Sequence, residues 1–373
     1  MLTAHHASFM NPEVRQNHRP LKSSRSRASV ALLALIIATA VVLGRRNWLG
    51  GEWVVHEWVG TTMGTTYSVK FVARSLSADR FGSVQLFIEG WLTQVDEAMS
   101  TYKPDSELSR FNRHLSTDPF RVSQPVLEVF LLSQRVSVAS GGAFDITVGP
   151  LVDVWGFGPD GSPEIIPDDA HLEELEEHVG FQKIRVDSTA STLTKRDPRV
   201  VADLSAIAKG YAVDGVADLL VDQGITDFLV EVGGELRAAG VKPGGLAWVV
   251  GVEAPLPDAR SLYATMELDD ESVATSGDYR NFWDSDGRRY SHIIDPRTGR
   301  PLPYVGAAVT VIHERAVLAD AWATAMTVLG PERGTMVADE IGLGVIFVRQ
   351  GESGLTETRT GAIADRPLEL QRP

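Results

Sequence analysis

From Ala28 to Gly44, seventeen consecutive residues carry no charge, and the run SVALLALIIATAVVLG shows no polar face. A helix in a globular core keeps a polar stripe, so this segment predicts a membrane-spanning helix at the short limit of length, flanked by arginines that can snorkel. Five cations precede the run and two follow it. The positive-inside bias therefore assigns residues 1–27 to a basic cytoplasmic tail and puts the rest of the chain outside, on the periplasmic or extracytoplasmic side of the inner membrane. An uncleaved signal-anchor is favoured over a cleaved signal peptide, because the small-x-small triplet Ala38-Thr39-Ala40 lies inside the apolar run and not after it.

Residues 45–57 read as a linker, 58–365 as the body and 366–373 as a tail. In the body, Trp58 to Phe71 alternates around Gly64 and predicts a strand with a polar kink. The spacing of Phe81, Leu86, Ile88, Trp91, Leu92 and Val95 predicts a helix over 78–98. A turn at Pro104 leads to a helix capped by Ser106, and a further helix over 124–140 stops at Gly141-Gly142. An acidic surface helix follows within 163–177, then short strands over 183–194. Val200-Val201-Ala202 reads as a strand delivering a polar turn to a helix whose first turn Ser205 caps. The stretch from Asp227 is a buried strand ending at Gly233-Gly234; further strands follow near 246–255, 261–268 and 272–276. A hairpin turns at Asp286-Gly287, and a strand followed by a helix fills 309–330.

Composition narrows the chemistry. With no cysteine among 373 residues, disulfides, thiolate metal sites, a cysteine nucleophile and a lipid-anchoring cysteine are excluded. The net charge of −14 conceals +6 over residues 1–46, which leaves −20 on the remainder. A body that acidic repels nucleic-acid backbones, so no nucleic-acid partner is expected.

Several stretches carry candidate chemistry. DLSAIAKGYA, Asp203 to Ala212, sets a helix start beside Lys209, a mobile cation for phosphate, and Asp203, an acceptor; an ordinary capped amphipathic helix with a surface lysine shows the same pattern. Met63 is able to lie flat on a planar ligand or to fill core. The glycines of Gly141 to Gly158 allow close backbone approach, and Phe144, Trp155 and Phe157 offer flat apolar surface. His292 stands just before a tight Asp295-Pro296 turn. Asp320 and Thr324, four residues apart, share a helical face on which a carboxylate and a hydroxyl suit a hard divalent cation, or simply form a polar stripe.

Taken together and in order, TTMGTTYSV, STYKPDSELSRFN, GAFDITVGPLV, DLSAIAKGYAVD, VEVGGELRAAG, ATSGDYRNF, YSHIIDPRTGRP and LADAWATAMTVLG resemble the ApbE family of FAD:protein FMN transferases. Eight motifs in sequence are far more specific than any one of them. The resemblance covers about Trp58 to Ile341. It implies an α+β body of the T-fold-like kind that binds FAD and Mg²⁺. It also implies transfer of FMN through a phosphoester bond to a Thr or Ser of an acceptor protein, typically a subunit of a membrane redox pump. By resemblance, Met63, Thr101, Tyr102, the triplet Ala143, Phe144 and Asp145, then Asp203, Lys209 and Ile294 contact FAD. Ala206 (through its carbonyl), Asp320 and Thr324 hold the metal, and His292 and Asp320 are the catalytic residues, His292 as base. Some members carry an acid where this chain has Ala323. A flavin-nucleotide hydrolase, with water as acceptor, and a non-catalytic FAD-binding envelope protein are the alternatives.

Overall fold

The computed structural model describes residues 52–74, 78–158, 166–256, 261–279, 281–285 and 287–371. The expected membrane helix at 28–44, the basic tail and most of the linker lie outside the described residues, as does Asp286 of the expected turn. Among the described residues no helix is long and apolar enough to cross a membrane.

Strands β1 (Val54–Thr62) and β2 (Thr65–Ala73) pair antiparallel across Met63-Gly64. Both turn residues have positive φ, 47° and 71°, which is what a two-residue hairpin turn of the right twist requires. The single kinked strand read from the sequence is therefore a hairpin. Helix α1 (Ala78–Met99) buries Val84, Ile88, Leu92 and Val95, whereas Leu86 is 69% exposed and does not belong to the packed face. Helix α2 (Glu107–Arg113) is capped as expected, the Ser109 N–H donating to Ser106 Oγ at 2.9 Å. After β3 (Phe120–Arg121), helix α3 (Gln124–Ala139) ends where Gly141 and Gly142 take positive φ. Short helices α4 (Gly149–Val154) and α5 (Asp169–Glu176) lead to β4 (Ile184–Asp187) and β5 (Thr192–Lys195).

Val200 to Ala202 forms no strand. Instead the Asn112 side chain acts as its neighbour, donating to the Ala202 carbonyl at 2.8 Å and accepting the Ala202 N–H at 2.8 Å. Helix α6 (Ala208–Asp222) begins later than expected, and its N-cap, Ile207, has no side-chain cap. Ser205 does not cap it: the Ser205 N–H donates to Asp203 Oδ1 at 2.8 Å, which fixes the turn ahead of the helix.

The stretch from Asp227 is two strands, β6 (Phe228–Val232) and β7 (Glu235–Ala239), folded back at Gly233-Gly234. Then come β8 (Trp248–Glu253), β9 (Leu262–Leu268), β10 (Ser272–Gly277), the hairpin β11 (Phe282–Ser285) and β12 (Arg288–Asp295), β13 (Arg300–Pro303) and β14 (Ala307–His313). Helix α7 (Ala316–Ile341) runs past the expected stop, broken by the non-helical Gly330 and by Pro331. Strands β15 (Gly344–Gly351), β16 (Gly354–Arg359) and β17 (Glu369–Leu370) follow. Residues 366–371, expected as a tail, are tied down: β17 pairs with β9, and Arg366 reaches Glu271 at 2.6 Å.

The α+β class holds. One eight-stranded antiparallel sheet, in the order β1-β2-β6-β7-β10-β14-β15-β16, organises the body. Its central strands are apolar on both faces because both are covered. Val230, Val309, Val311 and Phe347 pack with the main helices, while Ile312, Ile346 and Val348 pack with Trp248, Val250 and Met266 of the β8-β9 sheet. Alanine-rich α7 is buried over most of its circumference, so small side chains let it lie close to α6 and the sheet.

Candidate active site

A cleft of about 580 Å³ opens where the 101–102 turn, the 143–148 loop, the start of α6, the β6-β7 turn, β12 and α7 converge. Its polar centre is Lys209. The Nζ donates to the Ser205 carbonyl at 3.0 Å and lies 3.6 Å from Glu235 Oε1 and 3.8 Å from Asp320 Oδ1. Burial alone would lower the lysine pKa, but the carboxylates of Asp320 and Glu235 outweigh it and hold the ammonium charged, above the ordinary range. The expected mobile cation is thus clamped. Burial raises the Glu235 and Asp320 carboxyls, against the pull of Lys209. Two buried acids face one ammonium, so an added positive charge would relieve the burial that raises them both.

Asp320 is held in place by Gly210, whose N–H donates to its Oδ2 at 2.9 Å. Gly210 lies in the first turn of α6, where an N–H has no helical acceptor, and Asp320 satisfies it from the neighbouring helix. Glycine is required at 210 by proximity: a Cβ there would stand 2.3 Å from the Ala316 carbonyl oxygen and 2.8 Å from Asp320 Cβ. Gly210→Ala should cost ~1–3 kcal/mol of stability through overpacking and displace Asp320; thermal unfolding of the purified variant reads the first and FAD affinity the second. The start of α7 is fixed from outside. Its N-cap residue, Arg315, makes no side-chain cap, and buried Asp214 of α6 accepts the Ala316 and Val317 N–H groups at 2.9 and 3.2 Å while pairing with Arg237 at 3.0 Å.

His292, half-buried on β12, donates through Nδ1–H to the Asn281 carbonyl at 3.0 Å. That bond fixes the neutral tautomer with Nε2 as acceptor. Burial holds its pKa below the usual histidine value, opposed by the Asn281 carbonyl and Asp278 and assisted by Lys209. In the neighbouring loop Asp145 lines the cleft with its carboxylate engaged: Oδ1 accepts from Thr147 N–H and Oγ1–H, Oδ2 from the Phe181 N–H at 2.7 Å. It braces the loop, in which Ala143 and Phe144 are buried and pack into the main core. Tyr102 stands at the mouth, 74% exposed.

The structure brings together Thr101, Tyr102, Ala143, Phe144, Asp145, Asp203, Ala206, Lys209, His292, Ile294, Asp320 and Thr324 around this one cleft. Met63 is the exception: it does not line the cleft and packs partly buried against the main core, in the β1-β2 turn.

The ApbE family model matches residues 63–347. The chain belongs to the ApbE family. It is 43% identical over 298 residues to the FAD:protein FMN transferase of Vibrio cholerae serotype O1, covering 80% of this chain and 88% of that one. It is 38% identical to the enzyme of the same name from Escherichia coli K12, covering 79% and 84%. Among solved structures, flavin transferase ApbE from Vibrio cholerae superposes with a TM-score of 0.77 at 40% identity, covering 84% of this chain and all of that one. The apo flavinyl transferase ApbE of Pseudomonas stutzeri gives a TM-score of 0.76 at 37% identity, covering 84% of this chain and 97% of that one.

In this ApbE chain the donor set fits a divalent cation on structural grounds, although no cluster of three or more His, Asp or Glu able to hold a metal is found among the described residues. Asp320 contributes a carboxylate, Thr324 one turn on a hydroxyl, and Ala206, just ahead of the helix, a carbonyl; two buried acids facing one ammonium favour the ion. Sequence reasoning missed three groups. Glu235 is an acid at the start of a strand, straight after two glycines, and that placement was its only signal. Asn281 acts through its carbonyl and Asp214 through a contact with another helix, neither of which a side-chain motif records.

Proposed function

We propose that this chain transfers FMN from FAD to a Thr or Ser hydroxyl of an acceptor protein, forming a phosphoester and releasing AMP. Membership of the ApbE family supports the class of reaction. The observation that carries it to this site is His292, whose tautomer leaves Nε2 free to accept a proton in the same cleft as Lys209 and Asp320.

FAD binds with its diphosphate toward Lys209 and the start of α6, where the ammonium and the helix dipole favour negative charge. The cleft walls carry Asp145, Asp203, Glu235, Glu253 and Asp320 against Lys209, so a diphosphate enters favourably only with added positive charge. Asp320, Thr324 and the Ala206 carbonyl would hold Mg²⁺, which neutralises charge on the phosphorus and on the departing AMP. His292 Nε2 takes the proton of the acceptor hydroxyl as its oxygen bonds to the FMN phosphorus, and the bond from that phosphorus to the AMP phosphate breaks. Tyr102, exposed at the mouth, supplies a surface for a planar part of FAD. The basic tail and uncharged run at 28–44 support an inner-membrane protein with this body on the periplasmic side, where a redox-pump subunit is a suitable acceptor.

Incubation of the protein with FAD, MgCl₂ and a candidate acceptor, followed by mass spectrometry, tests the reading. FMN added to a hydroxyl residue, with AMP formed only when acceptor is present, is expected. AMP and free FMN accumulating without acceptor would make the protein a hydrolase.

A further inference from the structure

The Glu235 side chain has no role in the scheme above, yet it is among the most constrained in the cleft. The residue is 5% exposed and opens β7 directly after the Gly233-Gly234 turn, opposite Val232 in the β6-β7 register. Gly233 lets the turn close over the lysine: a Cβ there would lie 3.1 Å from Lys209 Cδ. Oε1 faces Lys209 Nζ at 3.6 Å, but Oε2 is buried and has no hydrogen-bond partner. An acid that served only to steady Lys209 would need a single oxygen, and burying the other without a donor is costly. The missing donor must come from something that enters the cleft, which Glu235 lines with Asp320 and Thr324.

We propose that Glu235 is a second carboxylate of the cation site, its Oε2 accepting from a water of the hydrated divalent ion that Asp320 and Thr324 hold, while Oε1 steadies Lys209 for the diphosphate. Mg²⁺ gives up its waters reluctantly and is usually held by one or two carboxylates with several waters retained. An acceptor beyond the lysine suits such a water, and groups that orient a metal's ligands tune its affinity strongly. The proposal rests on the cation reading given above.

The test titrates the full-length chain, with FAD present, with Mn²⁺ as the probe and follows free Mn²⁺ by electron paramagnetic resonance. It compares the wild type with Glu235→Gln, Glu235→Met and Asp320→Asn. Both Glu235 variants remove a buried charge at nearly constant volume, and either one that folds, as judged by its thermal unfolding, suffices. Expected is a loss of Mn²⁺ affinity of about 10- to 100-fold in the Glu235 variants and a larger loss in Asp320→Asn. Wild-type Mn²⁺ affinity in a folded Glu235 variant, with binding lost in Asp320→Asn, overturns the role of Glu235 alone. If the wild type binds no Mn²⁺, or Asp320→Asn binds it equally well, the cation reading falls and this proposal with it.

Discussion

With Asp320 replaced by asparagine, flavin transfer falls by about 10²- to 10³-fold, the size of effect seen when one preorganised electrostatic group is removed from a reaction centre. The substitution keeps an oxygen that can accept the Gly210 N–H, and Lys209 retains Glu235 and the Ser205 carbonyl as partners, so the packing of α6 against α7 survives. What disappears is the negative charge. The residual rate should therefore no longer respond to added Mg²⁺. Rates of acceptor modification measured across a Mg²⁺ titration check both statements, and an asparagine variant with wild-type rate and Mg²⁺ response would remove Asp320 from the site.

The second large effect concerns His292. Replacement by glutamine should slow transfer by ~10²- to 10⁴-fold, the usual contribution of a well-placed general base, with FAD binding little changed. The backbone supports this separation, since the His292 N–H also donates to the Asn281 carbonyl, at 3.1 Å, whatever side chain is present. The pH dependence follows from the same surroundings. Burial lowers the pKa from the reference 6.5, so the ring stays neutral and competent at pH values where an exposed histidine is already half charged. As pH falls through the depressed value, Nε2 gains a proton and the base is lost. The acid limb of kcat/KM should accordingly lie below pH 6.5 in the wild type and vanish in His292→Gln. Persistence of that limb in the variant would assign the titration to another group.

Much of this centre was legible in the sequence because its side chains sit in short, ordered motifs that keep their local geometry. Ser106 caps the helix it precedes, Asp295 turns the chain after His292, and Asp320 and Thr324 follow each other by one turn of α7. What the sequence did not disclose depends on partners far along the chain. Inward positions are even before Met63-Gly64, as at Trp58, and odd after it, as at Tyr67 and Val69, because Thr62 and Thr65 pair across the turn on one face; reading the stretch as one kinked strand misses that change of phase. Val200 to Ala202 has the composition of a strand, but Asn112 satisfies both backbone groups of Ala202 without any ladder. Lys209 reads as a free cation until the β6-β7 turn sets Glu235 against it. Ser205 has a good cap residue's chemistry, yet the helix starts three positions later, after a turn in which Asp203 accepts the Ser205 N–H.

The strand order has a bearing on how the protein is made. β2 ends at Ala73, and its neighbour β6 does not begin until Phe228. Joining them closes a very long loop, whose entropy is lost before the pairing returns any contacts, and such non-local topologies fold slowly. The amino-terminal hairpin must wait, with one edge unsatisfied, until synthesis has passed Val232. For that interval the nascent polypeptide exposes a row of open amides and carbonyls, the template for mispairing between neighbouring chains.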